Sequence, residues 1–282
     1  MLNELALFAG AGGGILGGSL CGFHTIAACE IEEYPRRVLL ARQRDGLLPA
    51  FPIWDDVRTF DGHPWHGVTD VITGGFPCQD ISSAGRGVGI AGTRSGLWFE
   101  MLRIIGEVRP SFVFAENSPN LRTRGLGVVV QGLTGLGYDV RWCVLGAWHA
   151  GAPHRRNRMW IYAADANGSK QGRRDESQRC VPERVPIFAR DGAPGVAPGV
   201  PCNVANADRA HGEGRRLPWR GEVEYTDANV AGDGWHPWQI EPALDRVAHG
   251  VDSRVDRLRA LGNGQVPAVA AMAWQILHGA DQ

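Results

Sequence analysis

Cys78 stands in the segment Gly74-Gly75-Phe76-Pro77-Cys78-Gln79-Asp80-Ile81-Ser82, directly after the apolar run Val68 to Thr73. A strand that delivers a thiol into a turn shaped by glycine and proline presents a nucleophile, because cysteine needs only partial ionisation to attack. A lone Pro-Cys is more often a buried cysteine before an ordinary turn, but three later segments shift that balance. Arg109-Pro110-Ser111-Phe112-Val113-Phe114-Ala115-Glu116-Asn117-Ser118-Pro119 is a second apolar run, ending in a carboxylate before another proline-bounded turn. Neighbouring parallel strands open their ligand-binding residues at one carboxyl-end crevice, so Cys78 and Glu116 are expected to meet. At the end of an apolar strand Glu116 is placed to have its pKa raised by desolvation and to serve as an acid. In Gly151-Ala152-Pro153-His154-Arg155-Arg156-Asn157-Arg158, the two arginines Arg156 and Arg158 fall two apart on an incoming strand and so share one face. Arginines at a strand edge suit a phosphate or a pyrimidine carbonyl. The fourth segment, Leu261-Gly262-Asn263-Gly264-Gln265-Val266-Pro267, is a tight turn ahead of an apolar helix over Ala268 to Leu277.

These groups need a scaffold, and the pattern predicts an α/β one. Glu4 to Phe8 reads as a short buried strand feeding a glycine-rich turn, followed by a helix to about Leu20 and a strand at His24 to Cys29 ending in Glu30. This is the first half of a doubly wound, Rossmann-like sheet. Gly10 and Gly12 let the backbone turn tightly, and Glu30 follows at the distance where an acidic side chain takes ribose hydroxyls. Alone, that pattern equally suits a nicotinamide dehydrogenase. A helix from Tyr34 to about Gln43 comes next, then alternating units at Val68 to Thr73, Gly96 to Val108, Ser111 to Ala115, Leu126 to Leu136, Tyr138 to Leu145 and Met159 to Ala163.

After Ala164 glycine, proline, aspartate, asparagine and arginine crowd out aliphatic runs until about Glu241. The reading is a catalytic and cofactor-binding domain over 1–165, a small irregular lobe over 166–249, and a segment 250–282 returning to the first domain. Apolar spacing resumes at Leu244, Val247, Val251, Val255, Leu258 and Leu261.

Composition sets wider bounds. With 282 residues there is ample material for a core, and a net charge of −1 gives no global nucleic-acid signature. Locally, Arg155 to Arg220 holds thirteen basic against seven acidic residues, and Lys170 is the only lysine in the chain. Arginine suits phosphate and base-edge contacts, although a GC-rich genome produces the same bias. The six cysteines show no CxxC spacing and no long apolar span or signal peptide is evident, which predicts a reducing cytoplasm, no membrane and no zinc or other metal.

Together with Leu7-Phe8-Ala9-Gly10-Ala11-Gly12-Gly13, the segments around Pro77-Cys78-Gln79, Glu116-Asn117, Arg156-Asn157-Arg158 and Gly262-Asn263-Gly264 resemble the cytosine carbon-5 methyltransferases, in the order that family shows them. The resemblance covers about residues 1 to 165 and 255 to 278. It implies S-adenosylmethionine as cofactor, with Phe8 against the adenine or methionine portion, Gly10 and Gly12 in the turn, and Glu30 on the ribose. Asp56 is implied on the adenine amino group, with Asp55 competing for that role, and Leu97 and Asn263 complete the pocket. Two departures stand out. Ala6 occupies the place of a frequent aspartate, and Ile31 occupies that of a frequent aromatic residue stacked on the adenine. Ser118 replaces a common valine after Glu-Asn.

The resemblance further implies methylation at carbon 5 of a cytosine flipped out of double-stranded DNA, with Cys78 as nucleophile and Glu116 as the acid at ring nitrogen 3. Arg158 would orient the base through its carbonyl oxygen and Arg156 would hold Glu116 or a phosphate. The loop from Gln79 to Ser83 would close over the base, with Gln79 and Ser82 as contacts, and Arg215 and Arg216 in the second lobe are candidate DNA contacts. A monomer is expected. A tRNA cytosine methyltransferase shares the catalytic residues, and an inactive DNA-binding relic of the fold is the non-enzymatic alternative.

Overall fold

A computed structural model describes residues 1–77, 96–166, 203–205 and 253–279. Cys78, Gln79, Ser82, Arg215 and Arg216 lie outside the described residues, as does most of the second lobe.

The described residues build an eight-stranded sheet in the order β3-β2-β1-β4-β5-β7-β6-β8. The strands are β1 (Leu2–Leu7), β2 (Phe23–Cys29), β3 (Ile53–Trp54), β4 (Val71–Gly74), β5 (Phe112–Asn117), β6 (Tyr138–Leu145), β7 (Arg158–Asp165) and β8 (Asn203–Ala205). The helices are α1 (Gly13–Leu20), α2 (Glu33–Arg44), α3 (Gly96–Val108), the short α4 (Leu121–Arg124), α5 (Leu126–Gly135), α6 (Arg254–Asn263) and α7 (Pro267–Gly279). Strands β1 to β5 pair in parallel, while β7 runs antiparallel between β5 and β6. Both faces are covered, which is why these strands read as near-continuous apolar runs. Leu5, Leu7, Ile72, Val113 and Ala115 pack beneath Trp98, Met101, Ile104 and Ile105 of α3 and Val129 and Leu133 of α5. On the opposite face Val71, Phe114, Trp160 and Tyr162 meet Val269, Ala273, Trp274 and Leu277 of α7. The doubly wound expectation is met, and α7 packs against α1, β6 and β7.

The chain moves outward from β1 to β2 and β3, then returns to place β4 on the other side of β1. That reversal opens a crevice at the carboxyl ends of β1 and β4, where such folds bind ligands. The register aligns Leu7 with Gly74 and Gly74 with Ala115. Phe8, Gly75 and Glu116 therefore stand in one row along the crevice.

Element ends differ from expectation where side chains redirect the backbone. β4 begins at Val71 rather than Val68, because Gly67 turns the chain with φ +74° and Asp70 accepts a hydrogen bond from the Asn3 amide at 2.8 Å. β5 continues through Asn117, so Glu116 is a strand residue opposite Trp160. β7 begins at Arg158, which leaves Arg156 outside it with φ +38°. Glu4 is fully buried on β1 and accepts hydrogen bonds from Thr25 of β2 and Thr73 of β4, both at 2.6 Å, tying three strands together beneath the crevice. Among the described residues no helix is long and apolar enough to cross a membrane.

Candidate active site

Glu116 is the centre of the crevice. Its side chain is almost entirely buried, and its Oε1 pairs with Arg158 Nε at 2.9 Å. Burial pushes its pKa up to about 7; the neighbouring Arg158 and Arg156 charges pull the other way and only partly offset it. The carboxyl thus has one oxygen fixed by a guanidinium and an affinity for a proton matched to neutral pH, the combination an acid needs at a reacting ring. Its Oε2 faces Gly75, where an added Cβ would lie 3.0 Å away. Gly75 is three residues before Cys78, and Asn117 Nδ2 donates to the Phe76 carbonyl at 3.0 Å, tying the end of β5 to the segment that follows β4. Asn117 has a structural role that its sequence position beside a proline-bounded turn does not announce: it is buried at the end of β5.

The two arginines divide their work differently from the expectation. Arg158, at the first position of β7, holds Glu116. Arg156 makes no strand and shares no face with it. Instead its Nη2 donates to the carbonyls of Leu261 at 2.6 Å, Gly262 at 3.0 Å and Gly264 at 2.6 Å. The loop before β7 is closed by Ala147 N donating to the Arg155 carbonyl at 2.8 Å, and this fold-back aims Arg156 at the turn between α6 and α7. Arg156 is therefore a strut for that turn.

The glycine-rich turn lies on the other side of the crevice. Gly10 and Gly12 have φ of +54° and +91°, values that glycine adopts without a steric cost. Phe8 has φ +53° with a full side chain, a strained conformation of the kind that clusters at ligand sites. Glu30, at the end of β2, accepts from Gly10 N through Oε2 at 2.7 Å and from Glu32 N through Oε1 at 2.8 Å. Burial raises its pKa, with those two amides acting in the opposite sense. Each oxygen keeps a lone pair for a further donor. Leu97, on α3, and Phe8 both pack against the main core cluster, so each has a structural task as well. Ile31 is about half exposed, at 55%, just past β2.

Asp56 is engaged. Arg58 grips it with Nε at 3.0 Å and Nη2 at 2.6 Å, while the Arg58 amide donates at 2.9 Å, which holds the Asp56 carboxyl below its ordinary range. Asp55 is exposed and has no hydrogen-bond partner among the described residues. Of the two aspartates, the structure leaves Asp55 the freer to accept from a ligand.

Phe8, Gly10, Thr73, Gly75, Glu116 and Asn263 line one cleft, whose walls also include Gln265. The structure thus brings Phe8, Gly10, Glu116 and Asn263 together. Glu30 and the Asp55–Asp56 pair sit at the neighbouring strand ends, toward β2 and β3. Gln265, the one long polar side chain in the segment Leu261 to Pro267, is a wall residue that the sequence analysis did not identify.

The sequence is similar to known proteins over most of this domain. The family model described as C-5 cytosine-specific DNA methylase matches residues 2–189. The type II methyltransferase M.PspPI of Psychrobacter sp. (strain TA137) is 37% identical over 138 residues, covering 48% of this chain and 32% of that protein. The type II methyltransferase M.CviJI of Paramecium bursaria Chlorella virus IL3A is 35% identical over 163 residues, covering 57% of this chain and 42% of that protein. The chain spans less than half the length of these curated relatives. Among solved structures, a putative DNA modification methyltransferase encoded within a prophage in E. coli is 25% identical, with a TM-score of 0.49, covering 60% of this chain and 48% of that one.

Proposed function

From the chain's membership of the C-5 cytosine-specific DNA methylase family, we propose that it transfers a methyl group from S-adenosylmethionine to carbon 5 of a cytosine flipped out of a short, specific DNA sequence. The observation that carries this reading is the buried Glu116–Arg158 pair, set one strand away from the turn that leads to Cys78.

Carbon 5 of cytosine is too electron-poor to attack an electrophilic methyl group unaided. In the proposed mechanism the Cys78 thiolate bonds to carbon 6, and the displaced electron pair moves through the ring to nitrogen 3. Glu116 in its protonated form donates its proton there, so the adduct is a neutral enamine with a nucleophilic carbon 5. Arg158 holds Oε1 in place and leaves Oε2 turned toward the Gly75 side. After methylation the carbon-5 proton departs to a base, the bond to Cys78 breaks, and nitrogen 3 returns its proton to Glu116.

The residues present suit the cofactor this requires. The tight turn at Gly10 and Gly12, the acidic Glu30 at the next strand end, the unpartnered Asp55 and the apolar walls from Phe8 and Leu97 match a molecule with a ribose, an amino-bearing ring and an aliphatic chain. When bound, S-adenosylmethionine supplies the electrophilic methyl group. Glu30 would take the ribose hydroxyls, and Asn263 would close the pocket from the α6 side. Residues 166–249, including Arg215 and Arg216, are proposed to read the target sequence, and Gln79 and Ser82 to contact the flipped base.

Wild-type protein should form a denaturation-resistant adduct with DNA carrying 5-fluorocytosine, where the departing proton is replaced, and Cys78→Ala should form none. An adduct that survives the substitution would remove Cys78 from the mechanism. Product mass spectrometry that found methylated tRNA and unmethylated DNA would move the substrate from DNA to RNA.

A further inference from the structure

The proposed chemistry leaves one proton without an acceptor, and the structure holds one buried carboxyl outside the mechanism. Glu4, fully buried on β1, accepts from the Thr25 hydroxyl through Oε2 and from the Thr73 hydroxyl through Oε1, both at 2.6 Å. Removing a carboxyl from water is costly, and an apolar side chain in its place would escape that cost. Thr73 is itself buried, yet it lines the cleft that Glu116 also lines. The register pairs Ala6 with Thr73 and Thr73 with Phe114. Side chains alternate along a strand, so Glu4, Thr73 and Glu116 all project from one face of the sheet. Thr73 is one strand from Glu116 and two residues short of its level, about 8 Å between backbones by strand geometry. Its hydroxyl donates to Glu4 and keeps lone pairs for a donor in the cleft. A path for a proton therefore runs from the cleft, through one hydroxyl, to a carboxyl sealed from solvent.

We propose that Glu4, acting through the Thr73 hydroxyl, takes up the carbon-5 proton in the step that releases the methylated base. This inference rests on the methyl-transfer reading above. In that step the bond from carbon 5 to hydrogen breaks and its electron pair forms the double bond to carbon 6, while the bond from carbon 6 to Cys78 breaks and leaves its pair on sulfur. The proton passes to a water molecule in the cleft, the water passes one to the Thr73 oxygen, and Thr73 passes its own to Glu4. Nitrogen 3 and carbon 5 are separated by a single ring atom, so a base whose nitrogen 3 meets Glu116 cannot hold carbon 5 far from the neighbouring strand. Burial raises the pKa of Glu4 to about 7, with the hydrogen bonds from Thr25 and Thr73 acting in the opposite sense. At neutral pH about half of the molecules therefore carry the ionised form that can accept a proton. The neighbouring Cys21 thiol is pushed up to about 12 by burial and by Glu4, so it stays neutral throughout.

The test separates proton removal from the steps before it. On DNA carrying 5-fluorocytosine the adduct is trapped because no proton can leave, so the rate of trapping measures attack and methyl transfer alone. Glu4→Gln should trap at close to the wild-type rate, which also certifies that the variant folds and binds its substrates. On ordinary cytosine, a rapid-quench single turnover should show the methylated protein–DNA adduct of Glu4→Gln persisting roughly a hundredfold longer than that of wild type. Thr73→Val should do the same, and carries the test where Glu4→Gln does not fold; Thr73→Ser, which keeps the hydroxyl, should resolve its adduct as wild type does. In wild type, resolution should speed up as the pH rises through 7, opposite in sense to the step that needs protonated Glu116. Equal slowing of trapping and of resolution in Glu4→Gln and Thr73→Val would reduce the pair to a tie between strands and overturn the proposal. Resolution at the wild-type rate in both would overturn it in favour of direct loss of the proton to solvent. Wild-type protein that traps no adduct would sink the covalent reading itself, and this inference with it.

Discussion

Glu116→Gln preserves the shape of the side chain and removes its titration, so it isolates the property on which the proposed chemistry depends. A buried carboxyl raised from 4.5 to about 7 binds its proton more tightly in the folded protein than in the unfolded chain. Its contribution to stability is therefore fully present below about pH 4.5 and is lost as the pH rises through 7. A shift of that size corresponds to about 3 kcal/mol in all, of which about 2 to 3 kcal/mol falls between pH 5 and pH 8. Glu4 is also fully buried and raised to about 7, so a pH profile of the wild type alone would mix the two groups. The difference between wild type and Glu116→Gln, measured by urea denaturation across that window, cancels Glu4 and every other titration the substitution leaves untouched. Wild type should lose about 2 to 3 kcal/mol relative to the variant on going from pH 5 to pH 8.

The same shift has a kinetic reading. At pH 7 a carboxyl with a pKa of about 7 carries its proton in about half of the molecules, against roughly one in three hundred at the unperturbed value. Single-turnover methylation by the wild type should fall as the pH rises past 7, and Glu116→Gln should be slower by about a hundredfold or more, as for other positioned acids. A stability difference that stays flat from pH 5 to pH 8 would show that Glu116 titrates normally, and the argument for it as the proton donor would fail. Unchanged single-turnover rates in the variant would remove it from the mechanism outright.

Two further outcomes follow from the same geometry. Glu30→Ala should raise the dissociation constant for S-adenosylmethionine, because a charge-assisted hydrogen bond worth about 1.5 to 3 kcal/mol is lost, and should leave DNA affinity nearly unchanged; calorimetry showing wild-type cofactor affinity would contradict the pocket described. Arg156→Ala should lower thermal stability by about 1 to 3 kcal/mol and weaken S-adenosylmethionine, since three carbonyls of the α6–α7 turn lose their donor, while the Glu116–Arg158 pair stays in place. A variant with unaltered melting and cofactor binding would show that the turn holds itself.

The sequence made the scaffold legible because the parallel strands are apolar on both faces and glycine or proline marks their ends. Helix α3 and strand β6 fall on the predicted residues, Gly96 to Val108 and Tyr138 to Leu145. The adjacency of the two strands that carry Gly74 and Glu116 was likewise readable, whereas the expected meeting of Glu116 with Cys78 lies outside the described residues. The division of labour between the arginines was not. Spacing of two implies a shared face only if both residues are in the strand, and the left-handed backbone at Arg156 breaks that condition. The engagement of Asp56 was hidden for a different reason. Its partner, Arg58, is two residues away across a tight turn, a pairing that no periodicity announces.

The glycine-rich turn shows most clearly why part of the site lay beyond sequence reading. Gly10 and Gly12 serve the turn's own backbone, as their positive φ values require. Gly13, Gly14 and Gly17 have ordinary backbone angles and lack a Cβ for another reason, which is close approach by the segment 265–270. A Cβ on Gly17 would lie 2.7 Å from that of Ala270 and 3.0 Å from the Pro267 carbonyl. Thus one run of glycines performs two tasks, and only the first is encoded locally. The second depends on a turn some 250 positions later in the chain, which Arg156 secures from a third direction. The cleft is therefore built by the first strand, the last helix pair and the loop before β7 together. Gln265 can extend into it only because all three agree on where that turn must sit.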